Sequence, residues 1–110
     1  MLLPLEISCQ ELRAKLDRGD QFLLLDVREQ SEYETVNLSA AKLIPMSKVT
    51  ERLPELEAFR DAEIVVHCHH GGRSQRVGQW LLGQGFQRVS NLTGGIDQWA
   101  IEIDPSLPRY

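Results

Sequence analysis

The sequence contains little cysteine and no long apolar run. Two of its 110 residues are cysteine, which is too few for a disulfide framework and fits a reducing compartment better than a secreted one. Its longest purely apolar run, Phe22–Leu25, is far shorter than the roughly 20 residues of a transmembrane helix. Residues 1–4 lack the basic segment and the long apolar stretch of a secretory signal. We therefore expect a cytoplasmic protein that does not contact a membrane.

Basic residues are outnumbered, which limits the partners that the chain can bind. The formal net charge of −4, from 12 basic and 16 acidic residues, argues against a general nucleic-acid-binding protein. Acidic residues are absent from the segment 64–96, which contains three arginines and all 3 histidines. A locally cationic segment in an acidic chain suggests an anionic ligand, although chance composition around a buried strand explains the same pattern.

Length and patterning predict the fold class. The 110 residues match one domain, since domains usually contain about 100–150 residues, and the expected domain spans 1–110. Short apolar runs alternate with amphipathic segments, as in α/β proteins with a small central parallel sheet and helices on both faces. The predicted strands are 22–25, 43–45, 64–67 and 88–90. The first predicted helix begins near Cys9, after a Ser8–Glu11 capping box, and ends at Gly19. Further helices are predicted over 30–35, from Ser47 to Phe59 with a break at Pro54, over 74–84, and onward from Gly94 and Gly95. An extended tail is predicted over 104–110.

Cys68 lies between a predicted strand and a predicted helix, where open α/β sheets bind their ligands. Free N–H groups at a helix start, with Gly71 and Gly72 to turn them inward, form an anion-binding nest. A thiol in such a nest has a lowered pKa, and the fork of Arg73 fits an oxyanion. These features describe a nucleophilic cysteine in an anion cradle, whereas the alternative is a buried, inert cysteine at a strand end.

Three motifs resemble those of the rhodanese sulfurtransferases. Cys68-His-His-Gly-Gly-Arg-Ser74 resembles the active-site loop of that family, and Asp26-Val-Arg-Glu29 resembles its Asp-Val-Arg motif. Leu92-Thr-Gly-Gly-Ile-Asp-Gln-Trp99 resembles its Gly-Gly-x-x-x-Trp motif. The tail 104–110 resembles the ending of single-domain members and of modules fused to sulfur-carrier activating enzymes. The order and spacing of these motifs identify nearly the whole chain as one rhodanese-like domain.

The resemblance implies sulfur transfer through Cys68. This residue would take a sulfane sulfur, as a persulfide, from a donor such as thiosulfate or another persulfide and pass it to a thiophilic acceptor such as cyanide or a thiol. Arg73 would bind oxyanion oxygens of the donor or orient the loop. Asp26 and Arg28 would support the loop by hydrogen bonds, or simply form a salt bridge that fixes a turn. The substrate-binding residues implied by the resemblance are His69, His70, Gly71, Gly72, Arg73 and Ser74.

No cofactor is expected, and the expected partner is a small anionic sulfur donor. A cysteine desulfurase and a sulfur-carrier protein both remain open as further partners, and a monomer is the default. A metal site at the histidines beside Cys68 is not expected, because adjacent residues at a strand end point in alternating directions. His67 is predicted to be a hydrogen-bonded core residue, whereas His69 and His70 are predicted to add pH-dependent positive charge near the anion.

One segment departs from the family pattern. Asn37-Leu-Ser-Ala-Ala41 stands where members commonly carry a His-Ile-Pro-Gly-Ala stretch, which leaves the local turn and any role of that histidine open.

Two other functions remain open on this fold. A phosphatase or arsenate reductase uses similar chemistry, but related dual-specificity phosphatases have one residue more than the six in Cys68–Arg73. A non-catalytic binding module is the third alternative, and such modules typically lack the cysteine.

Overall fold

The fold is built around one five-stranded sheet whose neighbouring strands all run parallel, in the order β1-β5-β4-β2-β3. A computed structural model describes residues 2–110. Its strands are β1 (Leu5–Ile7), β2 (Leu23–Asp26), β3 (Lys42–Leu43), β4 (Glu63–His67) and β5 (Arg88–Leu92). Its α-helices are α1 (Cys9–Arg18), α2 (Gln30–Thr35), α3 (Gly72–Gly83) and α4 (Gly95–Glu102). The predicted α/β class with a parallel sheet is confirmed.

The central strand β4 packs against helices on both of its faces. Ile64 and Val66 point into a core shared with Val77 and Leu81 of α3. Val65 points the other way, into a core formed with α1 and α4. A strand covered on both faces carries an uninterrupted apolar sequence, which is why the run Ile64–Val66 was recognisable in the sequence. The same argument explains β2, whose four residues are all buried.

Helix α1 begins and ends where the sequence indicates. The Ser8 hydroxyl accepts from the Glu11 N–H, and the Glu11 carboxylate accepts from the Ser8 N–H, both at 3.1 Å. Gly19 ends the helix in the left-handed conformation, with φ 71°. Helix α2 has the predicted bounds. Within residues 2–110, none of the helices combines the length and the apolar character needed to cross a membrane.

The segment predicted as a helix from Ser47 to Phe59 is different in the structure. It forms two short 3-10 helices, Met46–Lys48 and Leu53–Phe59. Pro54 lies at the start of the second, and a proline disfavours α-helical backbone in the residue before it. The predicted helix with a break at Pro54 is therefore replaced by two 3-10 helices, and the interruption falls at residues 49–52, before Pro54.

Strand β1 was not among the strands predicted from the sequence. This three-residue edge strand pairs only with β5, and its Leu5 side chain is 75% exposed. An edge strand this short and exposed has no alternating apolar pattern to reveal it. Strands β2, β4 and β5 end at the same edge of the sheet because they run parallel, and the segments that follow them meet there.

Candidate active site

Cys68 is the first residue after β4 and its side chain is almost completely buried, with 1% exposed. Its Sγ atom accepts a hydrogen bond from the Gly71 N–H at 3.1 Å and lies 3.3 Å from the Ser74 hydroxyl. Gly71 precedes α3 directly and Ser74 lies in the first turn of that helix, so the sulfur lies at the positive end of α3. The structure thus places Cys68, Gly71 and Ser74 in one cradle.

The cradle changes the acidity of the thiol. Burial raises the pKa of Cys68, but hydrogen bonds from the Ser74 side chain and from the backbone of Ser74, Gly71 and His70 more than offset it. The net effect holds the pKa of the thiol below its ordinary value. Hydrogen-bond donors that converge on a buried sulfur favour its anionic form over the thiol.

Of the two glycines in the loop, only Gly71 needs to be glycine. Its φ of 113° lies in the left-handed region, where side chains other than glycine are strained. Gly72 has no positive φ, and a Cβ there would meet nothing within 4 Å. The prediction that both glycines turn the loop inward therefore applies to Gly71 alone.

The start of α4 holds the loop from the other side. The Ile96 N–H donates to the Cys68 carbonyl at 2.9 Å, and the Asp97 N–H donates to the His69 carbonyl at 3.1 Å. This close approach requires a glycine at the helix start, because a Cβ on Gly95 would lie 2.5 Å from the Cys68 carbonyl oxygen. The Gly-Gly pair of the third motif thus positions the backbone of the active-site loop.

Replacing Gly95 with alanine is expected to lower the free energy of unfolding by about 2 kcal/mol or more, because the residue has φ 62° and no room for a Cβ. Urea unfolding of both proteins measures the difference. Gly83→Ala is the matched control, since Gly83 lies at the end of α3 with open space around it. That control should leave stability unchanged or raise it slightly, and an equal loss in both variants would contradict this explanation.

Arg73 is engaged by a residue that sequence reasoning did not single out. Its guanidinium forms a two-pronged ion pair with Glu32 of α2, with Nη1–Oε1 at 2.7 Å and Nη2–Oε2 at 2.9 Å. This contact is the main reason why the pKa of Glu32 is lowered to about 2. The fork that was expected to meet a donor's oxygens is occupied in this structure. The arrangement favours the other predicted role of Arg73, which is to orient the loop.

Replacing Glu32 with glutamine is expected to lower the free energy of unfolding near pH 6 by about 1–2 kcal/mol. The folded-state pKa is lowered from 4.5 to about 2, so this stabilisation is present above pH 4.5 and is lost as the pH falls towards 2. The difference between wild type and variant should therefore shrink between pH 5 and pH 2.5 in urea unfolding. Glu34→Gln on the same helix is the control, and a difference for Glu32→Gln that does not change with pH would contradict the assignment.

Asp26 and Arg28 form a buried ion pair, and both side chains are 0% exposed. The Arg28 guanidinium donates to the Asp26 carboxylate at 2.6 Å, to the Val36 carbonyl at 2.8 Å and to the Tyr110 hydroxyl at 3.0 Å. The pair therefore joins the end of β2 to the end of α2. This arrangement matches the second of the two predicted roles, a salt bridge that fixes a turn. The pair approaches the loop through Tyr110 and also through His67, directly before Cys68, whose Nε2 lies 3.7 Å from the Asp26 carboxylate.

Tyr110 connects the tail to the active-site loop. Its ring stacks on the His69 ring, with centroids 3.9 Å apart and planes within 8°. Its hydroxyl donates to Glu32 at 2.9 Å while it accepts from Arg28. The tail is further fixed by an ion pair between Arg109 and Asp97 of α4. The tail predicted as an extended segment thus lies against the loop, and the sequence carried no signal for these contacts.

One histidine departs from its predicted role and another has a shifted pKa. Burial is the main cause that lowers the pKa of His69, so this ring becomes positively charged only at a lower pH than an ordinary histidine. His67 is buried as predicted, but within residues 2–110 neither of its ring nitrogens has a hydrogen-bond partner. Burial lowers the pKa of His67 to about 4 and keeps the ring neutral. No group of three or more His, Cys, Asp or Glu side chains in the described part of the chain is arranged to hold a metal ion.

The fold and the loop define a rhodanese-like domain, and a family model for the Rhodanese-like domain matches residues 8–102. The chain therefore belongs to the rhodanese-like family. It is 36% identical over 109 residues to the maize (Zea mays) protein named adenylyltransferase and sulfurtransferase MOCS3-2, covering 94% of this chain and 23% of that protein. The chain thus spans about a quarter of that relative.

Two crystal structures show the same fold. A rhodanese-like domain protein from Staphylococcus aureus matches with a TM-score of 0.81 and 27% identity, covering 96% of this chain and 98% of the other. Thiosulfate sulfurtransferase from Pseudomonas aeruginosa matches with a TM-score of 0.80 and 26% identity, covering 89% of this chain and 19% of the other. The names of these relatives associate the family with sulfur transfer.

Proposed function

We propose that residues 1–110 act as one rhodanese-like domain that transfers sulfane sulfur, with Cys68 as the carrier. The observation that carries this proposal is the hydrogen bonding of the Cys68 sulfur by the Gly71 N–H and the Ser74 hydroxyl, at 3.1 and 3.3 Å. The Gly71 N–H is a backbone donor, so it stabilises an anionic sulfur without having to reorganise when that sulfur forms. The relatives named for sulfur transfer support the same reaction class.

The proposed reaction has two steps. The Cys68 thiolate attacks the outer sulfur of thiosulfate, a new S–S bond forms, and the old S–S bond breaks with its electron pair leaving on sulfite. The product is a Cys68 persulfide whose terminal sulfur is anionic. Cyanide then attacks that terminal sulfur, thiocyanate leaves, and the electron pair of the broken S–S bond returns to Cys68 as thiolate. Thiosulfate and cyanide stand here for any sulfane donor and any thiophilic acceptor.

The loop residues divide their roles by position. His70, Gly71 and Ser74 supply the donors that lower the pKa of Cys68, and Gly71 also sets the turn. Arg73, paired with Glu32, holds the start of α3. We assign His69 and Gly72 to the substrate-binding rim, and Asp26 and Arg28 to indirect support through Tyr110 and His67. The domain needs no cofactor in this scheme, and we propose that it works as a cytoplasmic monomer.

For the sulfur donor in the cell, we propose a chemical class and not a particular molecule. A small anionic donor fits the cradle, and a cysteine desulfurase or a sulfur-carrier protein would present the same sulfane sulfur on a protein surface. Because Glu32 occupies the Arg73 fork, a donor gains less from oxyanion recognition than the sequence suggested. This favours donors that are recognised through their sulfur over donors recognised through a sulfonate-like group.

The six-residue ring from Cys68 to Arg73 also favours sulfur over phosphate. The Gly71 N–H already lies at hydrogen-bond distance from the Cys68 sulfur, so the ring is closed around one atom. A tetrahedral phosphate would need donors set further out, because N–H groups stabilise only an anion at the position they point to.

A non-catalytic binding module would have no use for a thiol whose pKa is held below its ordinary value.

The test compares sulfur transfer from thiosulfate to cyanide with hydrolysis of an aryl phosphate, using one preparation of the protein. We expect sulfur transfer and essentially no phosphate hydrolysis. A variant with one glycine inserted between Gly71 and Gly72 should lose sulfur transfer, because the widened ring no longer centres on the sulfur. Efficient aryl phosphate hydrolysis without sulfur uptake from any donor would contradict the sulfurtransferase proposal and favour a phosphatase.

A further inference from the structure

The Ser74 hydroxyl has more acceptors around it than it has hydrogens. Its oxygen lies 3.3 Å from the Cys68 sulfur, 3.2 Å from the Gly71 carbonyl oxygen and 2.5 Å from Oδ1 of Asn91. A serine hydroxyl donates one hydrogen bond only. The three acceptors therefore compete for the same proton, and the shortest distance belongs to Asn91.

The contacts of Asn91 fix which of its amide atoms faces Ser74. Its Nδ2 lies 3.2 Å from the Gly71 carbonyl and 3.1 Å from the nearer carboxylate oxygen of Glu6 on β1. Both of these are acceptors, so the NH₂ group has to face them and Oδ1 has to face Ser74. The Thr93 hydroxyl donates to the same Glu6 carboxylate at 2.8 Å and holds it in place. Asn91 itself is only 3% exposed, so water does not replace these partners readily.

Two hydrogen arrangements follow from this geometry. With a neutral thiol, the S–H donates to the Ser74 oxygen and the Ser74 hydroxyl donates to Asn91, so every group is satisfied. With an anionic sulfur, the Ser74 hydroxyl turns towards Cys68, and Oδ1 of Asn91 loses its partner. An unpaired buried acceptor costs on the order of the lost hydrogen bond, so the second arrangement is opposed by Asn91.

We propose that Asn91 is a positioning residue that competes with the Cys68 sulfur for the single Ser74 proton and so restrains the resting thiol from ionising. The inference rests on the proposed function in treating Cys68 as the reactive group, and it adds a residue that controls that reactivity from β5. Asn91 acts only through Ser74 and touches no substrate.

Other ionisable groups lie around the loop, and none of them is replaced in the variants used below. They lie on the loop itself, on α2, α3 and α4, and on β1. The ionisable groups concerned are His67, His69, His70, Glu32, Arg73, Asp97 and Glu6.

The test measures the pH profile of iodoacetamide alkylation in the full chain carrying Cys9→Ser, so that Cys68 is the only thiol. Asn91→Leu, which removes the competing oxygen, should lower the midpoint of the profile and raise the thiolate fraction below the midpoint by on the order of 3-fold, or about half a pH unit. Ser74→Ala should raise the midpoint, because the donor is lost. In the Ser74→Ala background, Asn91→Leu should have no further effect.

Two results would overturn the inference. The first is an unchanged or raised midpoint of the alkylation profile in Asn91→Leu. The second is a midpoint shift of the same size with and without Ser74, which would mean that Asn91 acts on loop structure. Asn91→Ala carries the same test if the leucine variant does not fold, as judged by circular dichroism. Thr93→Val is the matched control, because it removes a contact to Glu6 while the Gly71 carbonyl still fixes the orientation of the Asn91 amide. This variant should leave the midpoint of the profile unchanged within experimental error.

This test is independent of sulfur transfer. The alkylation profile reports on the thiol whether or not Cys68 accepts sulfur from any donor. A protein that takes up no sulfur would therefore overturn the proposed function, whereas the absence of the expected midpoint shifts would overturn only the role of Asn91.

Discussion

Replacing Cys68 with serine is expected to reduce sulfur transfer from thiosulfate to cyanide by on the order of a thousandfold or more. A hydroxyl is nearly the same size as a thiol, but it remains protonated at neutral pH and forms no persulfide. The fold should be retained, because a serine oxygen at this position still accepts from the Gly71 N–H. Steady-state assays and thermal melting on the same samples measure the two effects.

Cys9→Ser is the matched control for this experiment. Cys9 lies at the start of α1, and its sulfur is 3.9 Å from the Thr93 carbonyl oxygen. Burial, with a smaller effect from Glu102, raises the pKa of Cys9 to about 11, so the thiol stays neutral. The variant should keep nearly all of its activity. Loss of activity in Cys9→Ser, or its retention in Cys68→Ser, would contradict the assignment of the nucleophile.

Replacing Arg28 with leucine is expected to cost about 3–5 kcal/mol in the free energy of unfolding. The Asp26 carboxylate has 0% of its side chain exposed, so it would lose its counter-ion without gaining water. The Val36 carbonyl would lose its donor as well. Urea unfolding at neutral pH measures the loss, and sulfur transfer should decline with the folded fraction.

The control for Arg28→Leu is Arg13→Leu. Arg13 forms an ion pair with Asp17 at 3.6 Å on the exposed surface of α1, where 56% of the arginine side chain is accessible. An exposed pair of this kind contributes about 0–1 kcal/mol, so the control should change stability little. Similar losses in the two variants would show that burial of the Asp26–Arg28 pair is not what determines its effect.

Local signals in the sequence were sufficient for much of the fold. The capping box of α1 is complete within Ser8–Glu11, and Gly19 marks the end of the same helix. The strand β4 is visible because its apolar residues are consecutive. Strand β1 was not visible, since its pairing with β5 joins residues more than 80 positions apart and leaves Leu5 exposed.

The candidate site was predictable only where its parts are close in sequence. Cys68, Gly71 and Ser74 lie within one turn and a helix start, so their convergence follows from the motif. Glu32 meets Arg73 across 41 positions, and Tyr110 meets Arg28 across 82. Such contacts depend on the topology of the whole sheet and are not encoded in any local spacing.

The cationic segment 64–96 shows how charge along a sequence differs from charge in space. Arg73 is neutralised by Glu32 of α2, which lies outside the segment. Arg88 begins β5 and is therefore at the opposite edge of the sheet from Cys68. Anion binding in this account thus rests on backbone N–H groups and the Ser74 hydroxyl more than on arginine charge.

The most direct measurement of the central claim is the intact mass of the protein after incubation with thiosulfate and removal of the excess. We expect a gain of one sulfur atom that is lost on treatment with cyanide or a thiol reductant. The gain should be present in Cys9→Ser and absent in Cys68→Ser. A mass that does not change with thiosulfate or with any persulfide donor would contradict the claim, and so would a gain that persists in Cys68→Ser.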